Sequence, residues 1–112
     1  MAKNDYFVIA YKVLKYLYGC LKGGVAPDIE FYNAESCGIN EAYWHYIMVN
    51  LYEGGYITDV VLIPPTLNHP DKGVRVSSKT KITPLGIQYL DENSMFKKVK
   101  ETVKDIAEII PL

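Results

Sequence analysis

From Val25 to Ile63 the chain has no lysine and no arginine, yet it holds Asp28, Glu30, Glu35, Glu41, Glu53 and Asp59. That excludes a phosphate-binding surface built from this stretch alone, because affinity for nucleic acid comes mostly from neutralising phosphates. The formal net charge is −1, so no global field draws the protein to a polyanion. Long apolar runs are also missing. None approaches the ~18 residues needed to span a bilayer, and no membrane partner is expected. Lys12 and Lys15 interrupt the apolar start, and no small-residue cleavage site follows. The start therefore reads as a mature amphipathic helix, and a cytoplasmic location is expected. Cysteine is scarce. Cys20 and Cys37, with His45 and His69, show no paired metal-ligand spacing, so no metal is expected. The two cysteines read as free buried thiols rather than a disulfide. Gly23-Gly24 and Gly54-Gly55 lack the further glycines and the lysine of a phosphate loop. No nucleophile motif occurs and no catalytic group can be assembled from spacing, so the chain reads as a non-enzyme without a cofactor.

What is present suits one small folded unit. Of 112 residues, 49% are apolar, enough to fill a single core. Ten tyrosines are many for this length and suggest half-exposed aromatic surfaces. The spacing of Tyr6, Ile9, Val13, Leu17 and Leu21 predicts a helix over 5–21 with one buried stripe, ended by Gly23-Gly24. Residues 27–32 read equally as a short strand or a helical turn. Asn33 and Gly38 bracket one or two further helical turns. A third helix starts at the cap Asn40, is stapled by Ile39 and Trp44, and is ended by the left-handed terminator Gly54-Gly55. Trp44, Ile47, Met48 and Leu51 share its inner face. Ala42, Tyr46, Val49 and Glu53 share the outer one, flanked by His45 and Asn50.

A hairpin follows. YITDVVLI is rich in β-branched residues, and VRVSSKTKIT alternates in a returning strand. If that strand is unbroken, Arg75, Lys79 and Lys81 line one face of it. Thr83 caps a fourth helix with Pro84 at its first position. Gly86 inside that helix suggests close approach of another backbone. A last helix over 95–110 carries the seam Phe96, Val99, Val103, Ile106 and Ile110. The order predicts an α+β fold of the winged helix-turn-helix kind, with three N-terminal helices, a β-hairpin wing and two C-terminal helices. Residues 1–93 would form the winged-helix domain. Residues 94–112 would pack as an amphipathic helix on it or on a dimer partner, in a single domain overall.

The segments YFVIAYKVLKYLY, CGINEAYWHYI, EGGYI and KITPLGIQYLDENSMFKKVKETVKDIAEIIP span nearly the whole chain. Through them it resembles the YjcQ-like family of small winged-helix proteins of Gram-positive bacteria and their prophages. The resemblance implies the winged-helix fold and carries over no functional residues.

Two functions are expected from the residues. The first is a DNA-binding transcriptional regulator. Its wing would supply Lys72, Arg75, Lys79 and Lys81 to phosphates of double-stranded DNA. His45, Tyr46 and Asn50 of the third helix would touch phosphate, a thymine methyl or adenine. Against it, Glu41 and Glu53 flank the same helix with no compensating cation nearby in sequence. The second is a winged helix that serves protein–protein interaction without DNA. Ala42, Tyr46 and Val49 would form one contact surface. The seam Phe96, Val99, Val103, Ile106 and Ile110 would form another, including a homodimer contact through the last helix.

Overall fold

The computed structural model describes residues 5–28, 33–68 and 72–93. Within them the chain is α+β. Helices α1 (Tyr6–Gly23), α2 (Ala34–Cys37) and α3 (Glu41–Glu53) come first. Strands β1 (Ile57–Thr58), β2 (Val61–Ile63), β3 (Gly73–Arg75) and β4 (Lys81–Ile82) follow, and α4 (Pro84–Glu92) closes the series.

The helix α1 buries Ile9, Val13 and Leu17, as its spacing predicts, and also Val8, Ala10, Leu14 and Cys20. Leu21 is not in the stripe; it is 42% exposed. The cause is that α1 is packed by α3, α4 and β4 together, which widens and rotates the buried arc. Gly24 ends the helix in the left-handed region at φ 66°. Beyond it, the Asp28 N–H donates to the Tyr16 hydroxyl at 2.7 Å, fastening the outgoing chain to α1.

A reciprocal cap makes the single turn of α2. Asn33 Oδ1 accepts from the Ser36 N–H, and Ser36 Oγ accepts from the Asn33 N–H. In α3, Asn40 Oδ1 accepts from the Tyr43 N–H at 2.8 Å. Trp44, Ile47, Met48 and Leu51 go into the core. The left-handed residue that ends α3 is Gly55, at φ 81°, rather than Gly54, which stays right-handed at φ −74°. Two bonds explain why it is the second glycine of the pair. The Gly55 N–H reaches the Tyr52 carbonyl and the Tyr56 N–H reaches that of Leu51, which places the terminating residue one position later.

The hairpin is two short ladders rather than one. Ile57 faces Ile82 and Thr58 faces Lys81; further out, Val61 faces Arg75, Leu62 faces Val74 and Ile63 faces Gly73. Between the ladders, residues 59 and 60 oppose residues 76 to 80, so the returning strand is broken. The extra length folds into a turn in which the Thr80 N–H bonds to the Ser77 carbonyl. Ser77 Oγ and Thr80 Oγ1 both donate to the Asp59 carbonyl, at 2.9 and 3.0 Å. Asp59 itself takes φ 61°, a conformation Asp tolerates better than most residues.

Thr83 Oγ1 caps α4 by accepting from the Gly86 N–H, and donates to the Gly55 carbonyl. Gly86 is pressed against the turn after α3, as its place in a helix suggests. A Cβ there would lie 2.4 Å from the Tyr56 carbonyl oxygen. One core, including Ile9, Leu14, Leu17, Ile47, Met48, Ile57 and Val74, joins α1, α3 and the hairpin. Each such side chain contributes about 1.5–3 kcal/mol by leaving water.

Candidate functional site

Packing of Trp44, Ile47, Met48 and Leu51 turns the other side of α3 outward. Ala42 and Tyr46 are exposed there, with Glu41 and Glu53, while Val49 and Asn50 are half-buried. The side Asn50 amide is committed to its own helix: Nδ2 donates to the Tyr46 carbonyl at 2.7 Å. His45 is turned beneath the hairpin. A Cβ on Gly73 would sit 3.1 Å from His45 Nδ1, so the ring lies directly against β3. Its Nδ1 is buried with no hydrogen-bond partner among the described residues, and its Nε2 is 3.5 Å from Glu41 Oε2. Asn50 thus bonds within its own helix, and His45 lies against β3.

Tyr46 does project, at 61% exposure, and it is joined by residues from the start of α1. Its ring meets Tyr6 edge to face at 6.1 Å, and Tyr6 meets Phe7 in the same way at 5.1 Å. Phe7 is also 61% exposed. Behind this edge lie Tyr43, Tyr56 and Tyr89, with Tyr56 and Tyr89 edge to face at 5.4 Å. Burial, then repulsion from Tyr89, Tyr46, Tyr56 and Tyr43, raises the Tyr6 hydroxyl above its ordinary value. Burial, then Tyr56, does the same to Tyr89. These phenols stay protonated at neutral pH and act as packing groups. Burial also raises the Cys37 thiol, against smaller opposing effects of Ser36 and Lys12, which makes it a poor nucleophile. Both cysteines are free; Cys20 is buried and Cys37 half-buried.

The hairpin cations are separated by the broken strand. Arg75 lies on β3, Lys79 in the turn that follows it, and Lys81 on β4, all exposed. None of the three makes an ion pair among the described residues. Lys72 is different. Its ammonium pairs with the Glu53 carboxylate, across the gap between the hairpin and the end of α3. Glu53 thus has a compensating cation, contrary to the reading from sequence, and Lys72 is taken up by it. The seam Phe96, Val99, Val103, Ile106 and Ile110 lies outside the described residues.

The part sequence reasoning missed is the contribution of Tyr6 and Phe7. The available signal was that Phe7 lies off the stripe of Tyr6, Ile9, Val13 and Leu17, since adjacent helical residues point about 100° apart. The Lys72–Glu53 pair left no such signal, because the two are 19 residues apart and meet only through the hairpin fold. Among the described residues there is no cluster of three or more His, Cys, Asp or Glu placed to hold a metal ion. Nor is any helix of theirs long and apolar enough to cross a membrane.

No curated protein and no solved structure matches the chain. The family described as YjcQ protein matches over residues 11–109, most of α1 through to the C-terminal segment, and the chain belongs to that family.

Proposed function

We propose that the chain is a winged helix, with the hairpin as its wing, whose third helix holds a protein rather than reading DNA. One observation carries this: the outward surface of α3 offers Tyr46, beside Phe7 and Tyr6, and α3 itself contains no lysine or arginine. Aromatic side chains half in water are the usual anchors of protein contacts. Of the residues expected to meet DNA, Asn50 bonds to its own helix, His45 packs on Gly73, and Lys72 is paired with Glu53. The exposed acid Glu41 suits a partner that brings an apolar anchor with a basic flank.

A second reading is favoured by Arg75, Lys79 and Lys81, which are exposed and unpaired among the described residues. On that reading the wing grips phosphates and α3 contributes little.

Two measurements decide between them. Duplex DNA anisotropy across a salt series is expected to show no binding above background even at low salt. A photo-crosslinker at position 46, in the cells that make the protein, is expected to trap one discrete protein, and Tyr46→Ala to prevent a direct complex with it. DNA binding at physiological salt, with a salt slope that falls by about 3 in Arg75→Ala/Lys79→Ala/Lys81→Ala, would overturn the first reading.

A further inference from the structure

A cavity of about 400 Å³ lies between the second half of α3 and the hairpin. Its walls are Val49, Tyr52, Leu62, Ile63, Pro64 and Val74. The register of the outer ladder explains it. Leu62 faces Val74 across the two strands, so their side chains share one side of the ribbon. The inner strand, β3, packs on α3 and buries Val74 to 1% exposure. The outer strand, β2, overhangs that contact, and Leu62 is left 59% exposed. The space between Leu62 and the helix is therefore apolar on both sides and filled by no side chain of the described residues. Its inner wall is fixed, because Gly73 is held against the His45 ring and has no side chain to swing.

We propose that this cavity is a binding site for a small, uncharged hydrophobic molecule, aromatic or branched aliphatic. The volume falls in the range of ligand pockets, about 300–1,000 Å³. It also exceeds what one protein side chain fills. The charged groups that line it, Glu53 and Lys72, already neutralise each other. A cationic ligand would have to displace Lys72, and an anionic one Glu53; an uncharged one leaves the pair intact. The Tyr52 ring supplies a flat apolar face and a hydroxyl for orientation. A bound molecule bridges α3 and the overhanging β2. The site does not depend on what the Tyr46 surface holds.

The test is a titration of the full chain with indole, followed by the methyl NMR signals of Val49, Leu62, Ile63 and Val74. Saturable shifts confined to these methyls are expected. Tryptamine and indole-3-acetate are expected to bind more weakly, by up to about fivefold, the worth of the exposed pair each would displace. Val49→Phe fills the cavity and Leu62→Ser removes its outer wall, and each is expected to weaken indole by about tenfold. Leu62 is exposed, so that variant keeps the fold and the test holds even if Val49→Phe does not fold. Absence of saturable shifts in the full chain overturns the proposal, and is the result if another segment or a partner fills the space. Shifts centred on other methyls, or unchanged affinity in Leu62→Ser, overturn it too. A charged analogue that binds as tightly as indole overturns the assignment to uncharged ligands.

Discussion

The same substitution, glycine to alanine, should have opposite effects in two helices of this protein. Gly86 lies inside α4, where alanine would by propensity alone stabilise the helix by about 1 kcal/mol. The position is closed, however. An added Cβ would fall 2.4 Å from the Tyr56 carbonyl oxygen and 2.6 Å from Ile82 Cγ1. The first obstacle is backbone and cannot rotate away. Moving it disturbs the bond from the Thr83 N–H to the Tyr56 carbonyl, 3.0 Å long, and with it the Thr83 cap and its bond to Gly55. Overpacking against backbone costs up to about 3 kcal/mol. A weakened cap and a weakened backbone bond cost about 1 kcal/mol each at most. Against the propensity gain, a net loss of about 3 kcal/mol is expected for Gly86→Ala, or about 10 °C in Tm.

Gly19 supplies the control. It lies within α1, and an added Cβ there meets nothing within 4 Å. Gly19→Ala should therefore stabilise by about 0.5–1 kcal/mol. Both variants are read by thermal and urea unfolding with far-UV circular dichroism. If Gly86→Ala is as stable as the parent, α4 does not sit against the turn after α3, and the placement of the helix is wrong. If both variants gain stability equally, propensity alone governs and the close approach has no energetic content.

Three further outcomes are expected. Thr80→Val keeps the shape of a residue only 2% exposed but removes its bonds to the Ser77 N–H and the Asp59 carbonyl, so a loss of about 2 kcal/mol should appear in urea midpoints; a neutral result would mean the two ladders do not need this turn. Folding raises Tyr6 and Tyr89 above 10.0, so near that pH unfolded phenols ionise while folded ones keep their protons. Stability is thus fully present below about pH 10 and falls as pH rises through the folded values, and a urea midpoint that stays flat from about pH 9 to 11 would contradict it. A double-mutant cycle of Lys72→Ala with Glu53→Gln should give a coupling under about 1 kcal/mol, because both side chains are half in water; a larger value would place the pair in a drier setting than the cavity mouth.

The helices were legible because their signals are local. Asn40, Trp44 and the three- and four-residue steps to Ile47, Met48 and Leu51 specify α3 without reference to anything distant. The inner face of α1 was legible only in part. Leu21 satisfies the spacing but is exposed, since the buried arc is set by which elements pack on the helix. The break in the hairpin was hidden by parity. Arg75 and Lys81 are an even number of residues apart, so their alternation looks the same with or without the intervening turn. The Ser77-Ser78-Lys79-Thr80 run was the available hint, because Ser hydroxyls bond readily to nearby backbone. Ala42 and Tyr46 were legible as outward residues of α3, whereas Val49 is half-buried under the hairpin, and the extension of the surface onto Tyr6 and Phe7 required α1 to be placed beside it.

Charge on this protein follows the needs of its own helix before those of any polyanion. Glu53 occupies the last turn of α3, where the unpaired carbonyls already carry partial negative charge. An acid there is unfavourable unless a cation is brought to it, and no basic residue lies between Val25 and Ile63 to do so from nearby. The hairpin delivers Lys72 to that point. A duplex approaching α3 would then have to compete with Glu53 for Lys72 while meeting the negative end of the helix. On the proposed reading, a protein surface carrying an apolar anchor meets the exposed Glu41 and an aromatic edge that it can bury. On the same reading, the outward Tyr46 and the wet Leu62 suit contacts driven by apolar burial.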